Sequence, residues 1–223
     1  MAINLNSGVR AQRKTLITVA EWTGASHDVY SKISDTSAPT WVANTFYSKG
    51  TDGTYTVLES QPDDWSANYK TYYKKTTSTN YREILGTRTE DSSIEFNPDI
   101  ETSTDILGIT YTDVNKTEPQ QDFDPFYLLG GSDLGEYLAS AALKNDITAY
   151  SNFCNVYVIT AFISEGSGES TAYKAVMHEG CSIIPTSIGG DSYVSMPIEV
   201  HYSNKITEGT VDKLSSDFTF TAA

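Results

Sequence analysis

Between Glu90 and Asp124 the chain holds ten carboxylates and a single base, Lys116, so this stretch accounts for 1 − 10 = −9 of a net charge of −14. Acid runs are usually solvated, unstructured tails. This one is threaded with Ile94, Phe96, Ile100, Ile106, Leu107, Ile109, Tyr111 and Phe123, more apolar anchors than a tail carries. The pattern predicts two strands, 92–96 and 106–114, joined by a polar loop that contains Pro98 and draws its order from something outside itself. Loops of that length are commonly functional, so what the loop touches is the first functional question.

The chain has 223 residues and is 39% hydrophobic, enough for one good core and a small second module. Fifteen tyrosines among many Thr and Ser residues favour strands over helices. No N-terminal segment combines basic residues with a continuous apolar run and no 18-residue apolar stretch occurs, which predicts neither a signal peptide nor a membrane span, and synthesis in a cytoplasm. Cys154 and Cys181 sit in apolar surroundings (FCNVYV and GCSII) and read as buried free thiols. The acidity argues against nucleic-acid binding, which needs clustered Lys and Arg; an acidic surface repels DNA.

In chain order, residues 1–14 read as a polar arm with Arg10, Arg13 and Lys14 close together. Thr15 to Trp22 alternates as a strand, and the pattern stops at Gly24. A short internal repeat follows: Trp41-Val-Ala-Asn44 answers Trp65-Ser-Ala-Asn68, and Phe46-Tyr47 with Tyr55 to Leu58 answers Tyr72-Tyr73 with Tyr81 to Ile84. Each copy reads as a β-hairpin, with Trp and Tyr forming a small core; exposed aromatic faces suited to sugar rings are the alternative. A second core strand starts at Glu83. Ser132 or Asp133 caps a helix with Leu134, Tyr137, Leu138, Ala141 and Ala142 on one face. Beyond Asn145 the pattern is β again: 155–163, 171–184, SMPIEVHY, and a last hairpin. The expected fold is mainly β, a β-sandwich or half-barrel with one flanking α-helix plus an inserted β-hairpin module, with the core in 1–24 and 82–223 and the insert in 25–81.

Catalytic patterns are missing from the sequence. His27, His178 and His201 are scattered, His178-Glu179 lacks a second His at helical spacing, and no nucleophile elbow, phosphate loop or Ca²⁺ loop occurs. Acid pairs in a Ser/Thr-rich strand pair lack the burial that a glycosidase acid needs. The expectation is a protein that is not an enzyme, with no cofactor and no metal.

The ordered set Gly86-x3-Glu90-Asp-Ser-Ser93, Thr104-Asp-Ile-Leu-Gly108 with Thr110, Phe123-Asp-Pro125, the Gly189-Gly190-Asp191 turn, Met196-Pro-Ile-Glu-Val200 and Gly209-Thr-Val211 resembles the tail tube (major tail) proteins of long-tailed bacteriophages. It covers Thr15 to Trp22 and Glu83 to the end; the segment between departs from it as an insertion. The resemblance implies hexameric rings stacked into a virion tail tube, assembled in the host cytoplasm, through which DNA passes without specific binding. Tape-measure and tail-terminator proteins are the implied further partners. Closed rings also pair the open edges of a sandwich, and a water-filled channel suits an acidic wall. On this reading Glu90, Asp91, Glu95, Asp113, Glu118 and Asp122 are candidates to line the lumen. Arg10, Arg13 and Lys14, with the loop residues Asn97, Pro98, Asp99, Ile100, Glu101 and Thr104, are candidates for ring-to-ring contact. The competing reading, carried by the Trp/Tyr repeat, is a carbohydrate-binding module of a phage or surface adhesin.

Overall fold

The structure, a computed structural model, describes residues 16–86, 89, 92–165 and 172–223. Strands make up 49% and helices 9%, so the chain is mainly β, with one large antiparallel sheet system and one small second sheet. It forms two compact units: residues up to Thr23 together with Tyr81–Ala223, and Gly24–Asn80. The strands are β1 (Leu16–Lys32), β2 (Phe46–Lys49), β3 (Tyr55–Val57), β4 (Tyr73–Ile84), β5 (Ile94–Glu95), β6 (Pro98–Thr104), β7 (Thr110–Thr117), β8 (Gln120–Phe123), β9 (Cys154–Glu165), β10 (Ala172–Pro185), β11 (Ile198–His201), β12 (Ile206–Val211) and β13 (Phe220–Ala222). Two helices join them, α1 (Trp65–Asn68) and α2 (Asp133–Leu143).

In the larger unit the strands run β1-β9-β10-β11-β8-β5, and β12 pairs with both β10 and β13. The first half of β10 (173–178) pairs with β12 and its second half (182–185) with β11, with a register break between His178 and Cys181. Gly180 sits at that break with φ +70°, a value that strains any residue with a Cβ. The bulge lets β10 turn the corner from one sheet into the other. Between the two layers lies a core of Trp22, Val156, Phe123, Ile183, Met196, Ile198 and Val200, closed by Leu134 and Leu138 of α2.

β9 explains its unbroken apolar sequence. Val156 and Val158 face that core, while Tyr157 and Ile159 face a second cluster with Val19, Ala175, Val211 and Phe218. A strand covered on both faces loses the polar alternation. Helix α2 forms where its cap predicts: Ser132 Oγ accepts from Gly135 N at 3.0 Å. The Glu83 carboxylate accepts from Ser132 Oγ at 2.6 Å and from Leu134 N at 3.1 Å, a negative charge at the positive helix end.

One buried polar knot ties the layers together. Gln121, 1% exposed, accepts from Thr18 Oγ1 at 3.0 Å and from the Tyr202 hydroxyl, and donates to Ser92 Oγ at 3.0 Å. Cys154 and Cys181 are free, buried and directly opposite each other across β9 and β10; burial pushes both thiols up.

The smaller unit corrects the repeat. Its first copy is a hairpin, β2 paired with β3 around Gly50 to Gly53, where Asp52 Oδ1 accepts from Thr54 N at 3.0 Å and Gly53 has φ +89°. Its second copy is not. Trp65 opens the short α1, and β4 then runs unbroken from Tyr73 to Ile84. The segment expected to turn there, Thr76-Thr-Ser-Thr-Asn80, has no glycine and three β-branched residues, so it stays extended. Strand β1 likewise continues past Gly24 to Lys32. The tryptophans serve as core: Trp65 is 3% exposed, donates from Nε1 to Pro39 O at 3.0 Å, and meets Trp41 edge-on at 5.0 Å and Phe46 at 4.6 Å.

Candidate functional site

The acidic stretch does not form two strands around a loop. The segment expected to be the loop, Asn97 to Thr104, is mostly strand β6, and it pairs with β7 in a separate two-stranded ribbon. The turn lies further on, at Asp105 to Gly108. There Asp105 Oδ1 accepts from Leu107 N at 2.8 Å and Ile109 N at 2.9 Å, and Asp105 O accepts from Gly108 N at 3.0 Å. Asp-Ile-Leu-Gly is the Asp-x-x-Gly signature of a type I turn, a signal overridden by reading Ile106 and Leu107 as strand residues. At the base, Glu118 N donates to Phe96 O at 3.1 Å and Asn97 Nδ2 to Glu118 O at 3.2 Å.

Every residue of β6 and β7 is exposed. One face carries Ile100, Thr102 and Thr104 opposite Val114, Thr112 and Thr110; the other places Glu101 opposite Asp113 and Ser103 opposite Tyr111. At the tip, Ile106 is 103% and Leu107 78% exposed. Phe96, Ile100, Ile109, Tyr111 and Val114 are each at least half exposed.

The lumen candidates separate into three places. Glu90 and Asp91 lie outside the described residues, as do Arg10, Arg13 and Lys14 of the arm. Asp113 and Glu118 belong to the ribbon and its base; Glu118 pairs with Lys116 at 2.6 Å, which holds its carboxyl below the usual range. Glu95 and Asp122 fall on a sheet surface. In β8 the side chains of Gln121 and Phe123 point into the core, so Gln120 and Asp122 point out. Register then sets Glu95 beside Gln120 and Glu199 beside Asp122, with His201 opposite Gln120.

The outer face of β5-β8-β11 is therefore acidic, with Glu199 a member that sequence reasoning missed. Its signal was present: Met196-Pro-Ile-Glu-Val-His alternates, and the buried Ile198 and Val200 force Glu199 outward. His201 Nε2 approaches Glu199 Oε2 at 3.4 Å. Among the described residues no three of His, Cys, Asp and Glu gather as metal ligands, and no helix is long and apolar enough to cross a membrane. What this arrangement offers is a carboxylate surface that rejects phosphate and a ribbon whose apolar groups lack cover. No protein-family model matches the chain, and no curated protein matches it closely enough in sequence to count as a relative.

Proposed function

We propose that the chain is a structural subunit that assembles with copies of itself into stacked rings of six. Such rings would form the tail tube of a long-tailed phage, a conduit that DNA crosses without specific binding. Its other contacts on this reading are tape-measure and tail-terminator proteins, its place is the virion tail after assembly in the host cytoplasm, and its role is not catalytic.

The observation that carries the reading is the ribbon. A two-stranded hairpin alone in water is marginal, and exposed strands with apolar side chains are templates for another chain. Here Ile106 and Leu107 stand 103% and 78% exposed at a turn held by Asp105. A protruding apolar tip that meets a different surface on a second copy makes a heterologous contact, the kind that generates rings and stacks. The acidic face of Glu95, Asp122 and Glu199 supports the conduit role, because carboxylates deny a duplex the counterion-release binding that would stall it.

Negative-stain microscopy of concentrated protein tests this directly. Rings or tubes of constant diameter are expected. Single particles that stay monodisperse as concentration rises would overturn the assembly reading.

A further inference from the structure

In the smaller unit the two faces of the sheet differ in kind. Phe46 and Ile33 lie on the packed face with Trp65 and Tyr69. Alternation sends the neighbouring residues to the opposite face: Asp28, Tyr30 and Lys32 on β1, Tyr47 and Lys49 on β2, Tyr55 on β3, and Tyr73 and Lys75 on β4. The rings meet. Tyr30 and Tyr55 stack at 4.1 Å with planes 5° apart, Tyr47 meets Tyr30 edge-on at 4.9 Å, and Tyr73 meets Tyr55 edge-on at 5.1 Å. Lys49 Nζ lies 5.1 Å from the centre of the Tyr55 ring. Lys75 bonds Asp28 at 3.1 Å, which holds its ammonium above the ordinary range, with Tyr47 and Tyr30 adding to the effect.

All four tyrosines are half-buried, yet among the described residues none of their hydroxyls has a hydrogen-bond partner, and neither Lys32 nor Lys49 has a carboxylate partner. Much of the ring faces is spent within the cluster. What remains to offer is hydroxyl groups, ring edges, which are the positive part of the quadrupole, and ammonium groups. The charge follows the same division. Residues 24–80 hold five bases and six acids, a net of −1, and the rest of the chain holds 15 − 5 = 10 bases and 29 − 6 = 23 acids, a net of −13. Three lysines to one aspartate on the tyrosine face make it locally positive on a strongly acidic molecule.

We infer that this face binds an acidic polysaccharide, a pyranose chain whose carboxylates pair with Lys32 and Lys49 and whose hydroxyls bond the hydroxyls of Tyr30, Tyr47, Tyr55 and Tyr73. Two lysines without a carboxylate partner suffice for the one charge per sugar of a uronate chain; the dense phosphates of a nucleic acid call for many more bases against the repulsion of the whole chain. The site is independent of the assembly reading.

Affinity electrophoresis of the full chain through gels containing polygalacturonate, dextran or oligothymidylate tests it. Polygalacturonate is expected to retard the protein, less so as salt rises, and dextran is not. Lys49→Ala and Lys32→Ala, both at exposed positions, each weaken retardation about tenfold. The double variant Tyr30→Phe/Tyr55→Phe keeps the rings stacked but lowers binding, which separates ligand hydroxyls from a purely structural cluster. Lys144→Ala, in the larger unit, leaves binding unchanged. Absence of retardation by polygalacturonate, equal retardation by dextran, tighter binding of oligothymidylate, or full binding by Lys49→Ala and the tyrosine double variant would each overturn the inference.

Discussion

Replacing Ile106 and Leu107 by serine should abolish assembly while leaving the subunit as stable as before. The two side chains are 103% and 78% exposed, and the turn that carries them is held by the Asp105 carboxylate and by backbone bonds rather than by their own packing. Surface changes of this kind alter folding stability by no more than about 0.5 kcal/mol. At an interface the same groups leave water, and full burial of an Ile or Leu stabilises by about 1.5–3 kcal/mol. Losing both removes about 3–6 kcal/mol per contact, which lowers the association constant by about 10² to 10⁴. Sedimentation velocity over a dilution series gives the threshold concentration for rings, and urea unfolding of the dilute subunit gives stability. Leu143→Ser, at an exposed apolar position on the last residue of α2, should leave the threshold in place. If the double variant assembled at the parent's threshold, the ribbon tip would not be the contact. If it lost stability in urea instead, the tip would be an internal support and the case from exposure would collapse.

Gln121→Leu should destabilise the subunit by about 2–5 kcal/mol, because the buried hydroxyls of Thr18 and Tyr202 lose their acceptor; adding Thr18→Val and Tyr202→Phe should recover most of the loss in urea unfolding, and failure to recover would mean that packing rather than the polar knot was broken. Tyr157 is pushed from an ordinary 10.0 up to about 12, chiefly by burial and then by the Glu21 carboxylate. A pKa raised by folding supports the fold fully below the unfolded value and loses that support as pH climbs from 10.0 towards about 12, so Tyr157→Phe should flatten the alkaline decline in stability; an unchanged decline would assign it to other groups. Changing Glu95, Asp122 and Glu199 together to Lys in the assembled particle should leave tubes intact and slow DNA ejection, and unaltered ejection would place this face outside the channel.

What could be read from residues alone depended on whether one segment held the whole signal. The α2 cap, Ser132 with Asp133 and Leu134 following, is local, and its helix forms over Asp133–Leu143. The run 155–163 reads as a strand because its apolar residues are contiguous, and the structure shows why they are: both faces are covered. The ribbon misled because Ile106 and Leu107 look like strand residues, yet both side chains stand largely in water; the Asp105 to Gly108 turn chemistry was the better guide. The second repeat copy misled because similar aromatic spacing hid the loss of the glycines that turn the first copy. What no single segment could show is the grouping on the acidic face and the tyrosine face: Glu95, Asp122 and Glu199 come from three strands and the four tyrosines from four, and only register brings them together.

The ribbon combines two opposed forces, and their balance sets a direction. Its strands and turn hold Asp99, Glu101, Asp105 and Asp113 against Lys116, and Glu101 stands directly across from Asp113, where like charges destabilise pairing. The Lys116–Glu118 pair offsets little, since both side chains are largely exposed. A ribbon approaching another surface on a second copy, itself part of a chain of net charge −14, is therefore repelled while its apolar groups favour contact. Repulsion between exposed charges is screened over about 10 Å at 0.1 M salt, whereas apolar burial is not weakened by salt. Raising salt should thus promote assembly through the ribbon, while it weakens any anion held by Lys32 and Lys49 on the tyrosine face. The two surfaces respond to one variable with opposite signs, so salt dependence alone tells which of them governs a given association of this protein.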